Sequence, residues 1–427
     1  MHFRIPAVIS LMLLIPAFSF AQENAVQEKT PEGWQFIPLP VISYNSDLGL
    51  HLGADLDIYD YGRKPSLFPD YLHKFRLETS YFFGGRSMIH ASYDSEHLIP
   101  GVRIAAVISW QKDPLYNFYG FGGDVVTYDR SQDLRNGVAY YSHGRDMARI
   151  VTVFQGKIVR NFNWVAGLSV SYYGTYETIS KKYDGENSLY HFYRQTGVIG
   201  DDEIKGWIAE IKAGANYDTR DFEPAPTKGI CADVYLNASP DLFRTGYAFA
   251  KLCAHFRHYI TPGPDWFTLA YHLAYQGTVA GKAPFFIQQN IFSLVQKQSF
   301  TDGLGGQNTI RGVAGGRLVG DGYAWANFEA RFRLFKFKIA GMDFFVATNP
   351  FYDIGAIVQP YKLEEISRAT GESLSKLKEL SGRLHQSAGL GFKLGMDKNY
   401  ILSLEIAKAF NRNDGPLGIA TSINYIF

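Results

Sequence analysis

Cysteine, charge of one sign and long apolar runs are scarce in this 427-residue sequence. Its only two cysteines, Cys231 and Cys253, are too few for a disulfide scaffold. The 42 lysines and arginines nearly balance the 41 aspartates and glutamates, so the basic excess expected of a nucleic-acid binder is missing. No segment reaches the roughly 20 consecutive apolar residues of a spanning helix. The sequence therefore predicts no nucleic-acid partner and no helical membrane anchor.

Catalytic and metal-binding patterns are also missing from the sequence. We find no Ser-His-Asp order and no HExxH spacing. The 11 histidines are scattered, and His255 and His258 fall on different faces of one predicted strand. The sequence therefore predicts a protein that is not an enzyme, with no catalytic residue, metal ligand or cofactor.

The N-terminus has the pattern of an export signal. Arg4 precedes a short apolar core, Ile5 to Ile15, and Ser19-Phe20-Ala21 forms a small-x-small cleavage site. A membrane-anchoring helix is the alternative, but this apolar core is too short to span. We predict a cleaved signal peptide at residues 1–21, a short periplasmic lead at 22–33 and a barrel domain at 34–427.

Strict alternation of side chains begins at Tyr323 and continues to Leu334. One face carries the polar and charged residues of this stretch together with Tyr323 and Trp325, and the other is apolar. A period of two indicates a strand with two unlike faces. In a soluble sandwich the apolar face would meet a second sheet, whereas in a membrane barrel it would meet lipid and the charges would line the lumen.

The whole chain favours the barrel. Sixteen segments show strand patterns, at Trp34–Tyr44, Leu48–Tyr59, Phe75–Phe83, Ser87–Asp94, Val102–Gln111, Arg149–Arg160, Phe162–Tyr173, Ile204–Arg220, Gly229–Ala238, Tyr247–Ile260, Trp266–Thr278, Tyr323–Leu334, Ile339–Ile357, Gln386–Met396, Tyr400–Phe410 and Leu417–Phe427. Long links mostly follow odd segments and short links mostly follow even ones, which is typical of outer-membrane barrels. We predict an all-β, transmembrane, antiparallel β-barrel of 16 strands, embedded in outer-membrane lipid of a bacterium.

One charged segment stands outside this pattern. Leu363 to Leu380 could form a short helix in the seventh outer loop, but Gly371 interrupts it. Because glycine disfavours helix interiors, we expect a solvated loop here.

Four motifs and the last residue resemble one protein family. They are Asn308–Val313 in the sixth outer loop, Tyr217–Gly229 before the ninth strand, Phe328-Glu329, Phe351–Gly355 and the terminal Phe427. In this order they are similar to the BamA/TamA/FhaC outer-membrane assembly and translocation superfamily, also described as bacterial surface antigen barrels. The resemblance implies a role in outer-membrane protein insertion, assembly or translocation, with client proteins and periplasmic or outer-membrane partners.

Two departures from the family pattern qualify the resemblance. Val313 stands where the family usually has Phe or Tyr. Family members normally carry periplasmic POTRA repeats, whereas only Gln22 to Gly33 lie between the predicted cleavage site and the first strand. We therefore expect a member without POTRA repeats that either is an accessory to a larger assembly or works with a separately made periplasmic partner. A channel, receptor or structural barrel without insertase activity remains the alternative.

Arg311 is the central candidate of the predicted site. By strand parity Glu329 and Asp353 face the lumen on adjacent strands, and a guanidinium fork suits two carboxylates. We predict that the sixth outer loop folds into the lumen and is held there by this ion pair. Gly312 and its neighbouring glycines would permit the close approach of backbones.

A second predicted cluster lies in the turn before the ninth strand. Asp218, Arg220 and Asp221 are expected to pair at the periplasmic rim and to fix a turn that also contains Pro226 and Gly229. We expect its role to be structural.

The ends of the barrel domain suggest a weak seam between the first and last strands. Proline cannot donate to a ladder, so Pro38 and Pro40 would remove hydrogen bonds on one side of the first strand. Phe427 would close the last strand against the first. The alternative is that the prolines precede the strand.

The two cysteines are expected to remain separate. By parity Cys231 and Cys253 point into the lumen from neighbouring strands. Since cross-strand pairs often miss bonding geometry, we expect two free thiols rather than a disulfide.

Overall fold

The structure is a computed structural model that describes residues 32–62, 70–132, 139–178, 187–223, 225–294, 301–339, 342–396 and 400–427. The predicted signal peptide and all but the last two residues of the predicted lead lie outside the described residues.

Sixteen antiparallel strands form a closed barrel in chain order, which confirms the predicted fold class and strand count. We number the barrel strands β1 (Trp34–Asn45), β2 (Gly49–Asp60), β3 (His73–Phe82), β4 (Ser87–Ile99), β5 (Val102–Asn117), β6 (Ser142–Val159), β7 (Phe162–Tyr176), β8 (Lys205–Asp218), β9 (Gly229–Ser239), β10 (Phe249–Ile260), β11 (Phe267–Gly281), β12 (Gly322–Ile339), β13 (Met342–Gln359), β14 (His385–Met396), β15 (Tyr400–Ala409) and β16 (Gly418–Ile423). Two further residue pairs, Asn290–Ile291 and Thr301–Asp302, form a small separate ladder.

The alternation of each strand separates an outer from an inner face. On β12 the inward Asn327, Glu329 and Arg331 are buried, while Phe328 between them is 42% exposed. Exposed outward residues on other strands are mostly apolar, such as Leu168 and Ile211. This arrangement of an apolar exterior around a polar interior is that of a membrane barrel.

The two ends of the barrel differ. Links after odd strands include residues 118–141, 177–204, 282–321 and 360–384, and we call this the loop end. Links after even strands are mostly shorter, such as residues 100–101, 160–161 and 261–266, and we call this the short-turn end.

Closure between β1 and β16 is the weakest pairing of the barrel. Only Asn45 and Ala420 pair in register, whereas β1 pairs with β2 along its whole length. The predicted last strand to Phe427 is wrong at its end, since β16 stops at Ile423. Asn424 has a φ of 68°, a left-handed conformation that turns the chain out of the sheet.

The described parts of the loops contain four α-helices: α1 (Leu189–Gln195), α2 (Phe285–Gln288), α3 (Leu363–Thr370) and α4 (Leu374–Ser381). The expected solvated loop at 363–380 is wrong. Gly371 has a φ of 74° and ends α3, so it separates two helices as a cap. Among the described residues, no helix combines the length and apolar character needed to cross a membrane.

An aromatic cluster lies over the loop end. Phe118, Phe121 and Phe285 are fully buried and contact one another edge to face, with ring centroids 5.4–5.6 Å apart. Leu189 and Tyr193 of α1 and Leu363 and Ile366 of α3 belong to the same cluster. The long loops thus have an apolar core of their own, separate from the polar barrel interior.

Candidate functional site

The loop segment from Leu304 to Leu318, here called the Arg311 segment, begins and ends at a backbone bridge between these two residues. Gly305, Gly306 and Gly312 have positive φ values of 115°, 80° and 87°. The Thr309 hydroxyl donates to the carbonyl of Gly305 at 2.9 Å and accepts from its N–H at 2.8 Å. These bonds fold the segment back on itself and leave Arg311 near its tip.

Arg311 contacts carboxylates of three strands. Its Nε and Nη2 donate to the two oxygens of Asp353 on β13, each at 2.8 Å, and its backbone N–H donates to Asp353 at 3.0 Å. Nη1 donates to Glu329 of β12 at 2.6 Å and to Glu405 of β15 at 3.1 Å. The guanidinium also lies 3.5 Å from the ring centroid of Phe351. Fork-like pairing of this kind fixes both the position and the orientation of an arginine.

The charges around Arg311 balance. Arg331 donates to the second oxygen of Glu329 at 2.8 Å, and Lys393 donates to Glu405 at 2.8 Å. Three cations therefore meet three carboxylates, and every one of these six residues is at most 5% exposed. Buried charges are tolerated only when they are paired in this way.

The Arg311 segment also contacts both sides of the seam. A Cβ on Gly312 would lie 2.8 Å from backbone atoms of Ala407 and Lys408 on β15, so only glycine fits there. Gly418, the first residue of β16, lies against Gly312. From the other side, the N–H of Gly315 donates to Asp47, which follows β1, at 3.1 Å.

The C-terminus turns toward inward-facing residues. Arg331 donates to the backbone oxygen of Phe427 at 2.8 Å and lies 3.9 Å from the ring centroid of Tyr425. The Phe427 ring is 5.4 Å from that of His272 on β11. The expectation that Phe427 closes the last strand against β1 is therefore wrong, because Phe427 lies beyond the end of β16 and contacts β11 and β12 instead.

Pro38 and Pro40 lie inside β1, where they pair in register with Leu56 and Ala54 of β2. The alternative that they precede the strand is excluded. Both are remote in register from the Asn45–Ala420 pair that joins β1 to β16. The prolines thus occupy the part of β1 that has no register partner on β16.

The predicted turn cluster divides into two contacts. Arg220 donates from Nε and Nη2 to Asp218, at 2.6–3.1 Å. Asp221 instead accepts from the N–H groups of Thr227 and Lys228 at 2.9 and 3.2 Å. Burial would raise the pKa of Asp221, but a hydrogen bond from the Thr227 hydroxyl, together with those from the two N–H groups, holds it below its ordinary value.

The other two residues of the turn motif lie where the turn leads into β9. Pro226 is buried. Gly229 has a φ of 103°, and a Cβ there would collide with the carbonyl of Thr219. The turn is therefore closed by backbone contact as well as by charge.

The two cysteines are free and buried in the structure. Cys231 pairs in register with Arg257, and Cys253 pairs with Tyr235. The thiols are thus on adjacent strands but several residues apart.

A second buried arginine ties the loops together. Arg317 donates to the carbonyls of Asn413, Gly123 and Val126, each at 2.9 Å. Burial lowers the pKa of its guanidinium below the ordinary value. Sequence reasoning missed Arg317, Glu405 and Lys393, although the parity of β15 and β14 places the last two on inward faces.

One group of side chains beside Arg317 has the composition of a cation site. A donor atom from each of Asp124, His385 and Asp414 lies within 4.8 Å of the other two. His385 Nδ1 is 2.8 Å from Asp414, and Arg317 lies 3.8 and 3.9 Å from the two carboxylates. Because Arg317 already supplies a positive charge beside these carboxylates, we interpret the three side chains as a contact that links the loops and not as a cation site.

Comparisons with known proteins agree with this geometry. A model of the Omp85 superfamily domain matches residues 120–420. Among solved structures, the chain is similar to BamA from Haemophilus ducreyi lacking POTRA domains 1–3, with 14% identity and a TM-score of 0.58, covering 92% of this chain and 70% of that one. It is also similar to CdiB from Escherichia coli, with 10% identity and a TM-score of 0.54, covering 94% of this chain and 64% of that one.

At these identities the likeness to solved structures shows the fold, and the chain spans less than two thirds of the length of CdiB. A comparison with curated proteins gave no match. The family match confirms the resemblance inferred from the four motifs.

Proposed function

The chain belongs to the Omp85 superfamily, and from that premise we propose that it inserts proteins into, or moves them across, the bacterial outer membrane without catalysing a reaction. The observation that carries the proposal is the seam. A barrel strand normally pairs with both neighbours, yet β1 and β16 share one register pair. In a solvent that cannot hydrogen-bond to the backbone, unmade bonds are costly, so this is where the barrel would open for a client.

We assign the Arg311 segment the role of a lock inside the lumen. Its contacts with Gly418 on one side and Asp47 on the other support this assignment. Opening the seam would separate these two contacts while Arg311 stays anchored on β12, β13 and β15. The Arg311 segment would thereby continue to fill the lumen when β1 and β16 move apart.

The turn motif of Asp218, Arg220, Asp221, Pro226 and Gly229 would stabilise the periplasmic rim. Its bonds are local to the turn and its strand ends, which supports a structural role. Residues 1–21 would direct export and be removed, and residues 22–33 would lead into the barrel domain at 34–427. Client proteins and further periplasmic or outer-membrane proteins are the partners that this function requires.

A closed structural barrel is the second candidate. The aromatic cluster over the loop end favours it, because Phe118, Phe121 and Phe285 are fully buried above the lumen. Such a cover would impede a permanently open channel. The structural role would need no client and no movement of the seam.

Depletion in the native bacterium separates the two functions. If the protein assembles or exports others, its depletion should lower the outer-membrane abundance of a defined set of proteins, measured by quantitative proteomics. Re-expression of the wild-type chain should restore them. Unchanged abundance of every other outer-membrane and secreted protein would reject the proposal and leave the structural barrel.

A further inference from the structure

β12 and β13 are 18 residues long each, whereas a membrane-spanning strand uses roughly 9–11 residues. Their excess length lies at the short-turn end. The last register pair between β11 and β12 is Phe267 with Phe332, followed by a bond from the N–H of Arg333 to Trp266 at 2.7 Å. Pairing with β13 continues to Ile339 and Met342. Residues Leu334–Ile339, here called the β12 edge, therefore have a strand partner on one side only within the described chain.

The β12 edge has two unlike faces. Phe335 and Phe337 have ring centroids 6.0 Å apart, and Phe337 stacks on Phe344 of β13 at 5.4 Å. The intervening Lys336 and Lys338 have side chains that are 63% and 72% exposed. A row of apolar side chains and a row of lysines thus follow the same stretch of β12, whose backbone is paired with β13 on one side only.

Contact with lipid does not account for this edge. The aromatic belt expected at a membrane interface is formed on these strands by Trp266, Phe267 and Phe332, whose rings stack 5.0–6.3 Å apart. The β12 edge continues beyond that belt. Phe335 remains 56% exposed and Ile339 45% exposed there.

The two lysines are available to a partner. Lys336 lies 3.9 Å from Asp265, and Lys338 lies 3.3 Å from Asp343, but both aspartates are more than two-thirds exposed. Exposed pairs of this kind contribute little to stability and are weakened by salt. An incoming carboxylate can therefore replace either aspartate at small cost.

We infer that the β12 edge is a docking site for an extended polypeptide segment that alternates acidic and apolar side chains. The segment adds as a further strand, with its backbone bonded to β12, its carboxylates beside Lys336 and Lys338, and its apolar side chains on Phe335 and Phe337. An unpaired strand edge is a ready template for such addition. Lysines on a strand edge also discourage unwanted pairing. The competing explanation is therefore that Lys336 and Lys338 only protect this edge from pairing with other chains.

Binding of a synthetic peptide tests this inference on the purified full chain in detergent. The probe is a fluorescent nine-residue peptide that alternates glutamate and valine, and the readout is fluorescence anisotropy. We expect saturable binding that weakens at least tenfold in the double variant Lys336→Glu/Lys338→Glu. The matched control, Lys376→Glu/Lys378→Glu on α4 at the loop end, should bind as the wild type does.

Methylated peptides separate strand addition from charge attraction. In an added strand, only every second backbone N–H faces the neighbouring strand. N-methylation of the peptide amides that face β12 should therefore abolish binding, whereas N-methylation of the amides between them should leave binding unchanged. Absence of saturable binding would mean that the lysines only protect the edge. Equal binding of both methylated peptides, or undiminished binding by the lysine variant, would also overturn the inference. None of these results depends on protein insertion, so the proposed function is tested separately.

Discussion

Arg311 illustrates how far single residues could be predicted. Its pairing with Glu329 and Asp353 follows from strand parity, since both carboxylates fall on inward positions of neighbouring strands. Glu405 was missed because it belongs to no motif and lies on β15, which is adjacent to neither β12 nor β13. Only the folded loop shows that one guanidinium reaches three strands.

Replacing Arg311 by alanine should destabilise the barrel. It would leave three buried carboxylates with two cations, and removing one partner of a buried ion pair costs ~3–5 kcal/mol. We expect a lower unfolding temperature in heat-modifiable gel mobility and faster proteolysis of the Arg311 segment. Arg368→Ala is the control, because the side chain of Arg368 is 75% exposed and that of its partner Glu365 is 36% exposed. Wild-type mobility and proteolysis of Arg311→Ala would contradict the lock.

The thiols provide a second test at the scale of residues. Cys231 and Cys253 are 3% and 0% exposed, so neither should react with a thiol reagent in the folded barrel. After denaturation without reductant, mass spectrometry should show two labels per chain. A single species without label would mean that the two sulfurs are bonded, against the register of β9 and β10.

At the scale of elements, alternation predicted all sixteen strands but not where each one ends. The predicted β16 ran to Phe427 because the alternation does, whereas one left-handed residue, Asn424, ends it early. Likewise β12 was predicted to stop at Leu334, because the apolar residues change there from even to odd positions. The strand continues nevertheless, since a register shift between Arg333 and Phe335 absorbs this change. Periodicity records which face a side chain prefers, but strand ends depend on neighbours that only the fold supplies.

Gly371 permits a test of the helical pair in the loops. With its φ of 74°, an alanine there would cost roughly 1–2 kcal/mol in the left-handed conformation. Gly371→Ala should therefore accelerate protease cleavage between α3 and α4. Gly382→Ala is a matched control, because Gly382 also caps a helix but has a φ of −87°. Equal cleavage of the two variants would argue against a cap that requires glycine.

The seam can be closed covalently where β1 and β16 meet. A disulfide between Asn45→Cys and Ala420→Cys joins the one pair in register, and it should abolish the ability of the chain to restore depleted cells under oxidising conditions. A reductant should return function. The control disulfide between Ala166→Cys and Ala213→Cys joins β7 to β8, which pair along their length, and should be harmless. Full function of the locked seam would contradict lateral opening.

At the scale of the whole molecule, the barrel is held from within as well as by its sheet. Arg311 joins β12, β13 and β15, while Arg317 joins three loop carbonyls. The interior thus couples strands that are not neighbours. A movement of the seam is therefore expected to reach β12 and β13 directly through Arg311, rather than only along the ladder of backbone bonds.

The inward turn of the last four residues has a practical consequence for handling the protein. A purification tag or fluorescent protein fused after Phe427 would have to begin among His272, Arg331 and Tyr259, where the terminal residue now lies. Either the fusion threads through the interior, or it pulls Tyr425 and Phe427 away from Arg331. We expect C-terminal fusions to lower yield and unfolding temperature, whereas a tag inserted in the exposed turn at Gly263 should leave both unchanged. Equal behaviour of the two fusions in a melting experiment would show that the terminus is readily released.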